Sequence, residues 1–81
     1  MKNHDIEIAR IYVPTKRRKS LDPAAVDRIA ENMLEVGQLT PILVRPDGER
    51  YVLVEGMHRL EACKALGDVT IVCLLVQARQ R

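Results

Sequence analysis

A chain of 81 residues makes one domain with a small core and little room for a second active site. Hydrophobic residues make up 47%, enough for a folded globule, and the formal charge of +2 is too mild to announce a polyanion partner. Tyr12 and Tyr51 are the only aromatics, which argues for an aliphatic core and against a single-strand nucleic-acid binder that stacks bases on aromatic rings. Cys63 and Cys73 stand at neither metal nor redox spacing, and both lie in apolar stretches. Two reduced, buried thiols in a cytoplasmic protein are the expectation. The N-terminus has no secretory h-region, and the apolar run Val69 to Val76 is too short to span a bilayer, so no membrane partner is expected.

Met1 to Asp5 is polar and reads as a loose end, with His4 solvated. Ile6-Glu7-Ile8 alternates and Ile11-Tyr12-Val13 follows, which predicts one or two short strands ending at Pro14. Thr15 to Ser20 holds Lys16-Arg17-Arg18-Lys19, four cations that repel one another and so predict an exposed loop. Two readings stand for that run: a solvated charge cluster, or an electrostatic guide for the phosphates of a nucleotide or of DNA. Asp22 is a good N-cap and Pro23 suits the first helical position. Val26, Ile29, Ala30, Met33 and Leu34 then recur at helical spacing, and Gly37 closes the helix. Met33 reads as core filler, and Glu31 with Glu35 as a solvated face rather than a catalytic pair. Arg28 and Asn32, on the polar face, are candidates to face a ligand.

Gln38 to Pro41 is a connector, Ile42 to Arg45 a strand, Pro46 to Glu49 a turn, and Arg50 to Val54 the returning strand of a hairpin. After the glycine turn and helix described next, Val69 to Val76 is the last strand. The predicted order is β-α-β-β-α-β. Two helices packed on a small mixed sheet make an α/β (α+β) fold over residues 1–81, with its core at about 6–76.

Val52 to Gly67 carries the chemistry. A strand runs into Gly56, and a helix follows with Leu60, Ala62, Cys63 and Leu66 before Gly67 stops it. At about 100° per residue, Ala62, Cys63 and Leu66 share a face with Arg59. Arg59 thus sits in the first turn on the side toward the protein, where an unpaired guanidinium is costly. The helix start adds free N–H donors and a partial positive charge. Gly56, the amides, His58 and Arg59 together describe an anion seat, most naturally for phosphate. The competing reading pairs Arg59 with a carboxylate such as Glu31 or Glu55.

Three stretches resemble the superfamily of ParB N-terminal and sulfiredoxin-like domains. Leu21-Asp22-Pro23-Ala24-Ala25-Val26 opens the first helix as in sulfiredoxin. Gly37-Gln38-Leu39-Thr40-Pro41-Ile42-Leu43-Val44-Arg45 looks like a ParB box. Gly56-Met57-His58-Arg59-Leu60-Glu61-Ala62 matches the phosphate-binding signature, G-E-R-R or G-E-H-R in partition proteins and G-C-H-R in sulfiredoxin. The resemblance implies a bound nucleoside triphosphate, CTP or ATP, with Mg2+ as its companion ion. Its phosphates would rest on Gly56, Met57, His58 and Arg59. Gly37, Gln38, Pro41 and Arg45 would border the base or ribose, and Arg28 and Asn32 would complete the pocket. No protein-held metal site and no catalytic residue is assigned.

Met57 stands where sulfiredoxin has its cysteine and partition proteins a glutamate, which argues against sulfinic-acid reduction. Ala25 stands where sulfiredoxin has a nucleotide-binding lysine; Lys16 or Lys19 are candidate replacements. The helical part that follows the domain in partition proteins, with further metal-binding residues and a helix-turn-helix, is not in this sequence. The implied role is nucleotide binding within a DNA-segregation or plasmid-maintenance protein, with DNA and a second copy of the chain as candidate partners. The alternatives are a phosphotransferase using Glu55, Glu61 or His58 as base, a nuclease, or a nonspecific DNA-binding module using Lys16 to Lys19 and Arg45.

Overall fold

The polar residues at the start of the chain are not loose. In the computed structural model, which describes residues 2–38 and 40–77, Asn3–Glu7 form strand β1 on the edge of a sheet. The backbone supplies the pairing whatever the side chains, and an edge position lets Asn3, His4, Asp5 and Glu7 stay exposed while Ile6 is buried. A 3-10 turn over Ile8–Arg10 leads to the two-residue strand β2, Ile11–Tyr12. Thr15–Arg18 then make one helical turn, α1, where charge repulsion had predicted a loop; its side chains are exposed as expected.

Helix α2, Pro23–Val36, starts as its sequence dictates: the Asp22 carboxylate accepts from Ala24 N–H at 3.1 Å, and Pro23 takes the first turn. Gly37, at φ 77°, ends it. Val26 and Met33 are buried, but Leu34 is 73% exposed. The inward stripe is narrower than the periodicity suggested. Leu34 lies about 100° round the helix from Met33, past the edge of the surface that α3 covers.

Strands β3 (Ile42–Asp47) and β4 (Arg50–Glu55) form the expected hairpin, closed by Gly48 and Glu49. Helix α3 is Met57–Ala65, and strand β5 is Thr70–Leu75. The five strands lie in the order β1-β5-β3-β4-β2. β1 is antiparallel to β5 and β3 to β4, while β3 runs parallel to β5 and β2 to β4, so the sheet is mixed as predicted.

Register decides which face is buried. Ile6 opposes Ile71, Ile42 opposes Cys73, and Val44 opposes Leu53, which sets six apolar side chains on one face. Val26, Met33, Met57, Leu60, Ala62 and Cys63 of α2 and α3 pack onto that face to complete an aliphatic core. The parallel pairing of β2 with β4 has a further result. Both strands run toward the same end of the sheet, where β4 hands over to Gly56 and α3 and β2 to Pro14 and α1. β3 starts at that end too, with Leu43 opposite Glu55. Among the described residues no helix is long and apolar enough to cross a membrane.

Cys63 and Cys73 are free and buried, as the sequence predicted. Burial pushes both thiols up to about 11; Asp68 adds to the effect at Cys63, against a smaller opposing pull from Arg59, and Asp5 adds to it at Cys73. Unfolding returns them to an ordinary value of 9.0, so between pH 9 and 11 the unfolded chain binds fewer protons than the native one. Stability contributed by these groups is therefore full below pH 9 and lost as pH rises toward 11. Chemical denaturation at pH 8 and pH 10.5 checks this: the wild type loses more stability over the interval than the Cys63→Ala/Cys73→Ala variant.

Candidate phosphate site at the start of helix α3

Gly56 makes the site. Its φ of 110° lies in the left-handed region, and a Cβ built on it would come 2.6 Å from Ile42 Cγ2. Glycine is thus required twice, for the turn and for the approach, and the group that approaches is the side chain of Ile42. This contact presses the segment entering β3 against the first turn of α3. Between them lies a cleft of about 270 Å3. Thr40, Pro41 and Leu43 line one side; Glu55, Gly56 and Arg59 line the other; Leu74 of β5 completes it.

Glycine also leaves α3 without a side-chain cap. The first helical bond is Leu60 N–H to the Gly56 carbonyl, 2.9 Å, so the N–H groups of Met57, His58 and Arg59 precede the ladder without acceptors in the helix. Arg59 lies on the cleft wall, half-buried, and its Nε is buried with no hydrogen-bond partner among the described residues. Neither Glu31 nor Glu55 pairs with it: the ion pairs among the described residues are Arg50–Asp47 and Lys64–Glu61, both 3.1 Å. A buried guanidinium N–H aimed at nothing, beside open amides, is an arrangement that an anion completes.

His58 is turned the other way. Its Nε2 accepts the backbone N–H of Asp22 at 3.0 Å, which ties the start of α3 to the start of α2. A neutral ring accepting at Nε2 carries its proton on Nδ1, and His58 is not among the residues that line the cleft. Met57 packs into the core at 8% exposure, so its thioether is not part of the cleft.

The segment opposite is held by Gln38. Its Nε2 donates to the carbonyls of Val72 (2.9 Å) and Thr40 (3.0 Å), and its Oε1 accepts Val72 N–H at 2.9 Å. The side-chain amide extends the ladder that β3 begins one residue later along β5, where Ile42 opposes Cys73. Gly37 and Gln38 therefore shape the wall, and Pro41 lines it. Arg45, half-buried, opposes Val52 on the sheet face away from Val44 and is not among the cleft residues. Arg28 and Asn32 line a separate open depression on α2 with Glu31, Leu34 and Glu35. The structure thus gathers Gly56, Arg59 and Pro41 from the residues predicted, and sets Arg28, Asn32 and Arg45 apart.

Thr40 and Leu43, within the ParB-like box, and Glu55, weighed as a base, also line the cleft; Leu74 lines it without having been singled out. Leu43 and Leu74 meet through the parallel register of β3 and β5, which no local pattern encodes. Glu55 precedes Gly56 directly, and that position beside the turn places it on the cleft. Among the described residues no three His, Cys, Asp or Glu side chains gather as a metal site.

Fold and cleft together define a two-layer α/β domain with a cleft beside a glycine-initiated, uncapped helix. The chain belongs to the ParB N-terminal domain family, whose model matches residues 2–81. A relative named probable chromosome-partitioning protein ParB, from Campylobacter jejuni, is 37% identical over 71 residues, covering 86% of this chain and 26% of its own length. The chain therefore spans about a quarter of that relative. Sulfiredoxin from Arabidopsis thaliana superposes with a TM-score of 0.86 at 27% identity, covering 96% of this chain and 88% of that one. The C-terminally truncated ParB of Caulobacter crescentus, complexed with CTP-gamma-S, superposes with a TM-score of 0.83 at 23% identity, covering 99% of this chain and 47% of that one. The ParB and sulfiredoxin-like fold read from the three sequence boxes is the fold found.

Removing the Gln38 amide leaves a part-buried N–H and C=O of Val72 without partners. Gln38→Ala is expected to cost about 2 kcal/mol in urea denaturation and to speed hydrogen exchange at the Val72 amide. An unchanged Val72 exchange rate would show that the amide does not hold this wall.

Proposed function

We propose that this domain binds a nucleoside triphosphate, CTP or ATP, with its phosphates on the turn from Gly56 to Arg59, as the nucleotide-binding part of a DNA-segregation protein. One observation carries the reading: the Arg59 guanidinium is drawn inward beside uncapped helix amides and has no acceptor for Nε among the described residues. Phosphate oxygens supply that acceptor and meet the positive end of the helix. The Nδ1–H of His58 adds a donor on the neighbouring side. Thr40, Pro41, Leu43 and Leu74 offer a mostly apolar wall for ribose or base. Glu55 on the same cleft would repel phosphates, and Mg2+ carried with the nucleotide offsets that repulsion.

The ParB relatives named for chromosome partitioning support the DNA-segregation role, and the CTP-gamma-S complex of the Caulobacter protein supports a nucleotide as the ligand. Sulfiredoxin chemistry is not part of the proposal. Residue 57 is a methionine packed in the core, and both thiols are buried and pushed up to about 11, which disfavours the thiolate that chemistry needs.

Glu55 favours one further reading, a phosphotransferase in which that carboxylate is the base beside the phosphates. Turnover of labelled nucleotide that disappears in Glu55→Gln, with binding retained, would select it.

Isothermal titration with CTP, ATP, ADP and GTP in magnesium buffer tests the main proposal. Arg59→Ala is expected to weaken binding of the preferred nucleotide by about 10- to 100-fold, the worth of a charge-assisted hydrogen bond. No heat from any of the four, or an Arg59→Ala protein indistinguishable from wild type, overturns it.

A further inference from the structure

We infer that the basic turn α1 closes the far side of the phosphate seat and makes the domain select nucleotides by their number of phosphates. This rests on the nucleotide reading above and assigns a ligand role to Lys16, Arg17, Arg18 and Lys19.

The placement comes from the sheet. Because β2 runs parallel to β4, α1 leaves the sheet at the same end as Gly56 and α3. Ligands of α/β sheets bind in the crevice outside such strand ends. The segment behind α1 is then clipped to the seat by the 3.0 Å bond from Asp22 N–H to His58 Nε2. Lys19 is three residues before Asp22, so their Cα atoms are at most about 11 Å apart. The long stems of Lys and Arg shorten that gap further.

The energetics of the turn point the same way. A single helical turn has little stability of its own. This one has no side-chain cap and no acidic residue in its first turn, and its four adjacent cations repel one another. Ser20 helps hold it shut: its Oγ–H and N–H both donate to the Arg17 carbonyl, at 2.9 and 3.2 Å. Among the described residues no carboxylate pairs with any of the four cations. The fold thus presents an exposed, uncompensated positive cluster at the site end of the sheet.

His58 and Arg59 are adjacent, about 100° apart round α3. Arg59 faces the cleft, and His58 faces the start of α2. The amide end of α3 therefore lies between the cleft and the α1 side. A monophosphate on Arg59 stays within the cleft. A triphosphate crosses the helix end and brings its outer phosphates toward α1. The structure accordingly orients the nucleotide with its base in the cleft and its terminal phosphate at the basic turn.

Calorimetry with CTP, CMP, ATP and AMP tests this on the wild type, on Arg59→Ala, and on a protein with Lys16, Arg17, Arg18 and Lys19 all changed to Gln. All four positions are exposed, and circular dichroism melting confirms that the fold is kept. The expected result is a loss of about tenfold in triphosphate affinity in the four-Gln protein, with monophosphate affinity unchanged and a shallower salt dependence. Lys19→Gln alone gives part of that loss. Arg59→Ala weakens both classes of nucleotide. If the wild type prefers the triphosphate and the four-Gln protein keeps that preference, or if the wild type binds both classes equally, the role of α1 is overturned and the seat stands. If the wild type binds neither class, the seat itself falls.

Discussion

The contact between Gly56 and Ile42 is the constraint on which the site depends. A side chain at position 56 would collide with Ile42, and the left-handed backbone there excludes most residues in any case. Because the contact is close, the strand leaving the hairpin turns at once into a helix, and the segment entering β3 is held against that helix start. The cleft and the uncapped amides both follow from one missing side chain. So does the inward course of Arg59, since a helix starting one residue later would rotate every side chain by about 100°.

Polar groups around this turn divide into two sets. One set is satisfied by the protein: Gln38 bonds the backbone of Val72 and Thr40, and His58 Nε2 accepts from Asp22. These fix the walls and bind the start of α2, α3, β5 and the entry to β3 into one frame. The other set is left open: the first amides of α3, the buried Nε of Arg59, and the cations of α1. All of the open groups are donors or positive charges. A frame that satisfies its own acceptors while leaving donors unmatched is what a proposed anion would complete, because their placement is already set by the fold.

Much of the architecture was legible in the residues. The capped start of α2 at Asp22-Pro23, the glycines that end α2 and begin α3, and the hairpin around Gly48 are local chemistry acting within a few residues. Arg59 was legible as inward-facing because helical spacing relates it to Ala62, Cys63 and Leu66. What escaped were features set by distant partners. β1 is polar and looks unstructured alone, but β5 supplies a ladder for it. Leu34 fits the helical repeat, yet no neighbour reaches the place where it lies. Arg28, Asn32 and Arg45 carry suitable chemistry, but their faces do not open onto the cleft.

By itself, the sequence determined the order of the main elements from α2 to β5, the aliphatic core and the glycine-initiated start of α3, since each rests on periodicity, turn chemistry and helix ends. Tertiary structure alone decided whether Arg59 would be answered by Glu31, by Glu55 or by nothing, and which residues stand across from it. Those outcomes depend on strand order and parallel register, which bring positions 40 to 43, 55 to 59 and 74 to one end of the sheet. Short-range preferences carry no information about such pairings, because the free energy that selects them is gained only when the whole apolar face closes.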